Sequence, residues 1–203
     1  MTYGRPREFD IDCALEAATQ QFWSTGYEAT SLQDLLQSMS LSKSSLYQTF
    51  GNKHELFIRC LGYYQQTMVD ELNIKLANSI SSRQFLYDFL DDVISESKNS
   101  SSNNGIKKGC FLVNTANELC QRDTSIAEAV ATGTANVAKV FRRAIEQGKK
   151  PQEIDTRWTT DSLVDYLITS ISGLRTMVKA GTEKKSLKPV IDLVMMTLFI
   201  NER

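Results

Sequence analysis

Apolar residues recur along most of this chain at intervals of three and four, the spacing of one buried face of an α-helix. Ile11, Leu15, Ala18 and Phe22 place such a helix over residues 11–25, with Asp10 suited to cap its start and Gly26 its end. Ser31 and Asp34 mark a second start, and Leu32, Leu35, Leu36 and Met39 supply the buried side of a short helix. Residues 39–42 form a turn into a third helix, capped by Ser42 and buried through Leu46 and Phe50. Asn52, with Glu55 three residues on, repeats the capping pattern for a fourth helix from about 53 to 78. Three helices in about 40 residues, the second and third joined by a very short turn, make a helix-turn-helix arrangement.

The remaining pattern is again helical. Phe85, Leu86, Phe89, Leu90, Val93 and Ile94 form an amphipathic stripe, followed by a polar, low-complexity loop over residues 95–104. Helices are expected over residues 109–121, 124–147, 160–180 and 187–201, with a loop at 149–155. The fold class is therefore all-α: an N-terminal three-helix helix-turn-helix domain, residues 1–52, and a C-terminal helical domain, residues 53–203.

The start of the third helix has an unusual local chemistry. Between Ser40 and His54 there is no carboxylate, while Lys43 and Lys53 are basic. A small helix start rich in hydroxyls and amines suits a DNA major groove. Lys43, Ser44 and Ser45 stand where base edges or phosphates would be reached, and Gln48, one turn on, suits an adenine edge. Thr30 and Ser31, at the start of the second helix, and Lys53, at the start of the fourth, lie where backbone N–H groups favour an anion. Arg5 and Arg7 lie in an arm suited to a minor groove or the backbone. Ser31 and Ser42 read equally well as plain helix caps.

Gly4-Arg-Pro-Arg7, Gly26-Tyr-Glu-Ala-Thr-Ser31, Ser42-Lys-Ser-Ser-Leu-Tyr-Gln-Thr-Phe50 and Asn52-Lys-His-Glu-Leu56 together resemble the N-terminal DNA-binding domain of the TetR family of bacterial repressors. The resemblance covers roughly residues 4–60, with the four patterns in the right order and spacing. It implies that Tyr47 offers its hydroxyl to a phosphate, and that two copies of the chain face a palindromic operator in double-stranded DNA. The family usually has Gly at the position of Ser40 and Ala at that of Leu36. A serine in a left-handed turn costs about 1 kcal/mol more than glycine.

The last two helices each carry an apolar stripe. Leu163, Leu167, Ile171 and Leu174 form one, and Val190, Val194 and Leu198 lie in the other. The second is apolar on more of its girth than one intrachain contact needs. The stripes either close the chain's own core or, as the resemblance implies, form a four-helix homodimer interface with a second copy.

Gly109-Cys-Phe-Leu-Val-Asn-Thr-Ala-Asn-Glu-Leu119 and Ser172-Gly-Leu-Arg-Thr-Met177 resemble segments of one branch of that family, the NemR-like electrophile-responsive repressors. Cys110 opens a helix and follows Lys107 and Lys108, both favourable to a thiolate, although a buried, inert cysteine is common. A non-covalent effector is the other option. The resemblance places its pocket among the middle helices, where Tyr64, Phe89, Phe111, Asn114, Asn117, Trp158 and Tyr166 are candidate walls beside Cys110. Each of these aromatics reads as well as plain core. Cys13 and Cys120 read as core positions.

Composition narrows the classes. The chain has 203 residues, 41% hydrophobic and 23% charged, with three prolines and a net charge of −1. Residues 1–60 hold seven acids against five bases, so a generic basic footprint is absent and positive charge is local. No apolar run approaches the roughly 20 residues that cross a bilayer, and no secretion signal is visible. Four scattered cysteines without such a signal suggest a reducing cytoplasm, and their spacing suggests no metal site. No cofactor is expected.

The expected function is a dimeric DNA-binding transcriptional regulator, a repressor released by a small-molecule or electrophile effector. The alternative is a helical protein-interaction module without sequence-specific DNA binding, which leaves the missing carboxylates of the third helix unexplained. An enzyme built on Cys110 lacks a base, because the single histidine, His54, lies in the helix-turn-helix segment.

Overall fold

A computed structural model describes residues 10–95, 108–150, 153–155 and 157–200. Among them are nine helices: α1 (Ile11–Thr25), α2 (Leu32–Ser38), α3 (Lys43–Phe50), α4 (Lys53–Asn78), α5 (Ser82–Ser95), α6 (Phe111–Leu119), α7 (Thr124–Lys149), α8 (Thr160–Lys179) and α9 (Lys184–Leu198). The chain divides into two compact units, residues up to Tyr64 and residues from Gln65. The division falls inside α4, beyond the boundary at residue 53 expected from sequence. The first turns of α4 bury Leu56, Phe57, Cys60 and Leu61 together with the helices before them.

In the first unit the caps are made as the residue types dictate. The Asp10 carboxylate accepts from the Asp12 and Cys13 N–H groups at 2.9 and 3.2 Å. Ser31 and Asp34 form a reciprocal capping box at the start of α2. Ser42 Oγ accepts the Ser45 N–H at 3.1 Å, and Asn52 Oδ1 accepts the Glu55 N–H at 3.0 Å. Ala14, Ala18, Phe22, Leu35, Leu46, Phe50 and Phe57 form the core, with the Phe22 and Phe57 rings edge to face at 4.9 Å. Ile11, expected on the buried stripe of α1, is 51% exposed. At the first helical position its side chain leans back past the N-terminus, beyond the core, and Ala14 takes the inward place.

The α2–α3 turn is a Schellman motif. The Leu41 N–H reaches the Leu36 carbonyl at 3.0 Å, and the Ser40 N–H the Gln37 carbonyl at 3.2 Å. Ser40 occupies the left-handed position at φ 53°, the one non-glycine residue with positive φ among those described.

In the second unit α5 is central, and Phe85, Leu86, Phe89 and Leu90 meet Phe141 and Ile145 of α7, Leu167 of α8 and Ile191 of α9 in one core. Asp91 of α5 accepts Lys184 and Lys188 of α9 at 2.9 and 3.3 Å. Those hydrogen bonds hold its carboxyl below the usual carboxylate range. The last helix was expected to reach residue 201 but ends at Leu198. Phe199 leaves it to form a short antiparallel bridge with Ile154, the Ile200 N–H donating to the Glu153 carbonyl at 2.9 Å.

Leu163, Leu167, Ile171, Leu174, Val194 and Leu198, expected at a dimer interface, are at most 8% exposed and lie in this intrachain core. The same stripes that would face a second copy are already used to hold α8 and α9 onto α5. Val190, at 40% exposure, is the one of the seven on the surface.

Replacing Ser40 with glycine removes the left-handed penalty and returns part of it as extra freedom of the unfolded chain. Ser40→Gly is expected to raise unfolding free energy by about 0.5–1 kcal/mol, as measured by denaturant titration.

Candidate nucleic-acid interface and effector region

α3 has two chemically opposite sides. Leu46 and Phe50 are fully buried, which turns Lys43, Ser44, Tyr47 and Gln48 outward on one face. Tyr47 is 46% exposed, and the Lys43 ammonium stands 5.9 Å from its ring centroid. Ser42 Oγ lies 2.9 Å from both Ser44 Oγ and Ser45 Oγ, so the helix begins in a cluster of hydroxyls. Of the residues expected to touch DNA, Lys43, Ser44, Ser45, Tyr47 and Gln48 are therefore brought together. Arg5 and Arg7 lie outside the described residues.

The start of α2 is arranged differently from the sequence expectation. Thr30 is 1% exposed, and its hydroxyl lies 2.6 Å from both the Gly26 carbonyl and Thr25 Oγ1. Its backbone N–H is directed to the Tyr27 carbonyl at 3.3 Å. Thr30 thus stitches the α1–α2 loop and offers nothing to a phosphate. Ser31 is exposed, but its N–H donates to Asp34 Oδ2 at 2.8 Å. The hydrogen bonds from Ser31 hold the Asp34 carboxyl below its usual value, so this helix start already has its own anion.

Lys53 opens α4 with its ammonium 4.4 Å from the centroid of the Tyr27 ring. Tyr27 is itself wedged against Phe57, ring centroids 4.8 Å apart, and stacks toward Phe22 at 6.1 Å. The cation is held over a fixed aromatic face at the edge of the unit. Sequence reasoning missed Tyr27 in this role. The contact joins residues far apart in the chain, which periodicity cannot report.

The candidate effector residues do not form one site. Phe89, Cys110 and Phe111 are buried at 7%, 6% and 2% exposure, and Asn114 donates through Nδ2 to the Lys108 carbonyl at 2.8 Å. Asn117 is exposed, and Trp158 and Tyr166 are 54% and 37% exposed, so these three face solvent. Tyr64 belongs to the first unit, its ring edge to face with Trp23 at 5.0 Å. A groove of about 340 Å3 runs beside α5, lined by Ile74, Lys75, Gln84, Asp88, Phe89 and Asp92 among others. Of the expected wall residues only Phe89 borders it.

The thiols also sort by burial. Cys110 is the N-cap residue of α6 and makes no side-chain capping bond. Burial pulls the neighbouring Lys108 ammonium below its ordinary pKa. Cys60 is fully buried, and loss of solvent pushes its thiol up to about 12. Cys13, expected in the core, is exposed beside Asp10, whose hydrogen bond and charge raise its pKa. Cys120 is partly buried and also raised, first by burial and then by Asp123. Among the described residues no group of three or more His, Cys, Asp or Glu is placed to hold a metal ion, and no helix is long and apolar enough to cross a membrane.

A short helix presenting a polar, carboxylate-free face from a three-helix framework defines a helix-turn-helix DNA-binding protein. Comparison with known proteins agrees at both ends of the chain. Residues 14–60 match the model of the bacterial regulatory proteins of the tetR family, and residues 88–194 that of the tetracyclin repressor-like C-terminal domain. The chain belongs to the TetR family of transcriptional regulators. It is 28% identical over 188 residues to the HTH-type transcriptional repressor ComR of Escherichia coli, covering 92% of this chain and 88% of ComR. It is 26% identical over 196 residues to the HTH-type transcriptional regulator YezE of Bacillus subtilis, covering 96% and 99%. Among solved structures, a cysteine mutant of the TetR family regulator CifR, complexed with 26 bp double-strand operator DNA, superposes with TM-score 0.79 at 25% identity, over 94% of this chain and 98% of that one. The reduced form of Escherichia coli NemR shares the fold at TM-score 0.83 and 16% identity, over 95% and 98%.

The two helix starts are expected to respond differently to substitution. Lys43→Ala lowers the slope of log affinity for duplex DNA against log salt by about 1, as loss of one phosphate contact does. Thr30→Val leaves that slope unchanged and costs about 1–2 kcal/mol of unfolding free energy, because it strips two partners of a buried hydroxyl.

Proposed function

We propose that this chain is a cytoplasmic, dimeric transcriptional repressor that binds a palindromic operator and leaves it when an effector engages the second unit. The observation that carries the reading is the outward face of α3: Lys43, Ser44, Tyr47 and Gln48 together, with no acid between Ser40 and His54 in a segment that is otherwise acidic. DNA binding by the related regulators supports it.

The dimer is supported by a second apolar face on the last two helices. Tyr166, Ser170, Gly173 and Met177 run along the outer side of α8, and Val190, Leu193, Met196 and Ile200 along α9 and its exit. Leu193 and Met196 are 60% and 57% exposed, and a methyl group added at Gly173 would meet nothing within 4 Å. Small and apolar residues on adjoining helices suit a four-helix interface with a second copy. With two copies joined, two reading helices meet two half-sites, which compensates for the weak generic charge of each.

Selection from a random duplex pool by the purified protein is expected to enrich a palindrome. Against that duplex, the Lys43→Ala, Tyr47→Phe double variant binds at least tenfold more weakly. Enrichment of no duplex, or undiminished binding by the double variant, would overturn the reading.

The effector reading has two branches, and the 6% exposure of Cys110 favours a non-covalent ligand over a rapidly modified thiol. If Cys110 is the sensor, thiol alkylation releases DNA from the wild type and not from Cys110→Ser. Equal release from both dismisses the thiol branch and leaves the ligand branch.

A further inference from the structure

The corner between α3 and α4 is two residues long, and it is braced from outside by a residue that sequence reasoning left unassigned. Arg59, one and a half turns into α4, donates from Nη1 to the Thr49 carbonyl in the last turn of α3 at 3.1 Å. Its guanidinium lies 5.8 Å from the centroid of the Phe50 ring. The Thr49 carbonyl is one of the four that an α-helix leaves unsatisfied at its C-terminus, and a cation there also meets the negative end of the helix dipole. The Gly51 N–H takes the Tyr47 carbonyl at 3.1 Å. Gly51 itself stands at φ 75°, ψ −129°, a conformation open to glycine, and an added Cβ would lie 1.6 Å from Glu55 Oε2.

α3 has only eight residues, little more than two turns, so its internal bonds alone hold it weakly. Its N-terminal end is fixed by Ser42, and its buried side by Leu46 and Phe50. The remaining freedom is fraying and tilt at the C-terminal end, which would displace Tyr47 and Gln48 on the outward face. We infer that Arg59 is a positioning residue for DNA recognition: it clamps the C-terminal turn of the reading helix to α4 without touching DNA itself. The inference rests on the DNA-binding reading above, and it also ties α3 to the first turns of α4, so that the two move as one body.

A positioning role separates from a phosphate contact and from plain stability in one set of titrations. The probes are the duplex that the wild-type protein enriches from a random pool and a scrambled duplex of the same composition. Arg59→Ala is expected to weaken binding to the enriched duplex roughly five- to tenfold while affinity for the scrambled duplex stays within about twofold. The salt slope stays at the wild-type value, because no phosphate contact is lost. Arg59→Lys, which can still donate to the Thr49 carbonyl, recovers most of the loss. A drop of about 1 in the salt slope would make Arg59 a phosphate ligand and overturn the inference. So would an equal loss on both duplexes, which marks a general loss of folded protein, or binding by Arg59→Ala at the wild-type level. If the wild-type protein enriches no duplex at all, the regulator reading falls and this inference falls with it; the other outcomes leave that reading standing.

Discussion

The burial of Leu46 and Phe50 decides what α3 can do. Each side chain removed from water contributes about 1.5–3 kcal/mol, far more than any hydrogen bond on the opposite side of this short helix. Both rest in a core with Phe22, Leu35 and Phe57 at 0% exposure, so α3 has one admissible rotation about its axis. Every polar group it presents follows from that choice. Rotating the helix by one residue would put Tyr47 in the core and Phe50 toward solvent.

Electrostatics then refine a face that packing has chosen. A first unit with more acids than bases has no general attraction for DNA, and the acids sit mainly on α1 and at helix starts. Asp10, Asp34 and Glu55 all serve as partners to backbone N–H groups or cap side chains, which keeps their charge close to a helix N-terminus. α3 differs because its cap is a serine and its first turn has no carboxylate. The contrast between α2 and α3 is instructive. Both begin with a serine cap, yet only α2 carries a carboxylate in its first turn, while the start of α3 is closed by hydroxyls alone.

The helical plan was legible because caps and periodicity are local. Asp10, Ser31, Ser42 and Asn52 all cap where the sequence placed them, and Ser40 takes the left-handed turn expected of it. What failed was assignment of partners. Periodicity says that one side of a helix is buried, not against what. On α8 and α9 two apolar sides compete, and the stronger one, through Leu167, Ile171 and Val194, went to the intrachain core. Thr30 and Cys13 failed for a related reason: a single polar or small residue near a helix start carries no periodic signal, so its facing depends on neighbours across the loop. The contacts of Tyr27 with Lys53 and of Arg59 with Thr49 are tertiary, and no local pattern encodes them.

α4 is where these local and tertiary constraints meet. It buries Leu56, Phe57, Cys60 and Leu61 in the first unit and Leu72 in the second, and no residue from Gly62 to Glu71 is buried. Within that stretch Tyr64 packs edge to face with Trp23 at 5.0 Å, and Met68 and Val69 are half-buried against the core of the second unit. An effector in the second unit can alter DNA affinity only through a difference in its binding free energy between two arrangements of the chain. α4 is the helix that contributes residues to both units.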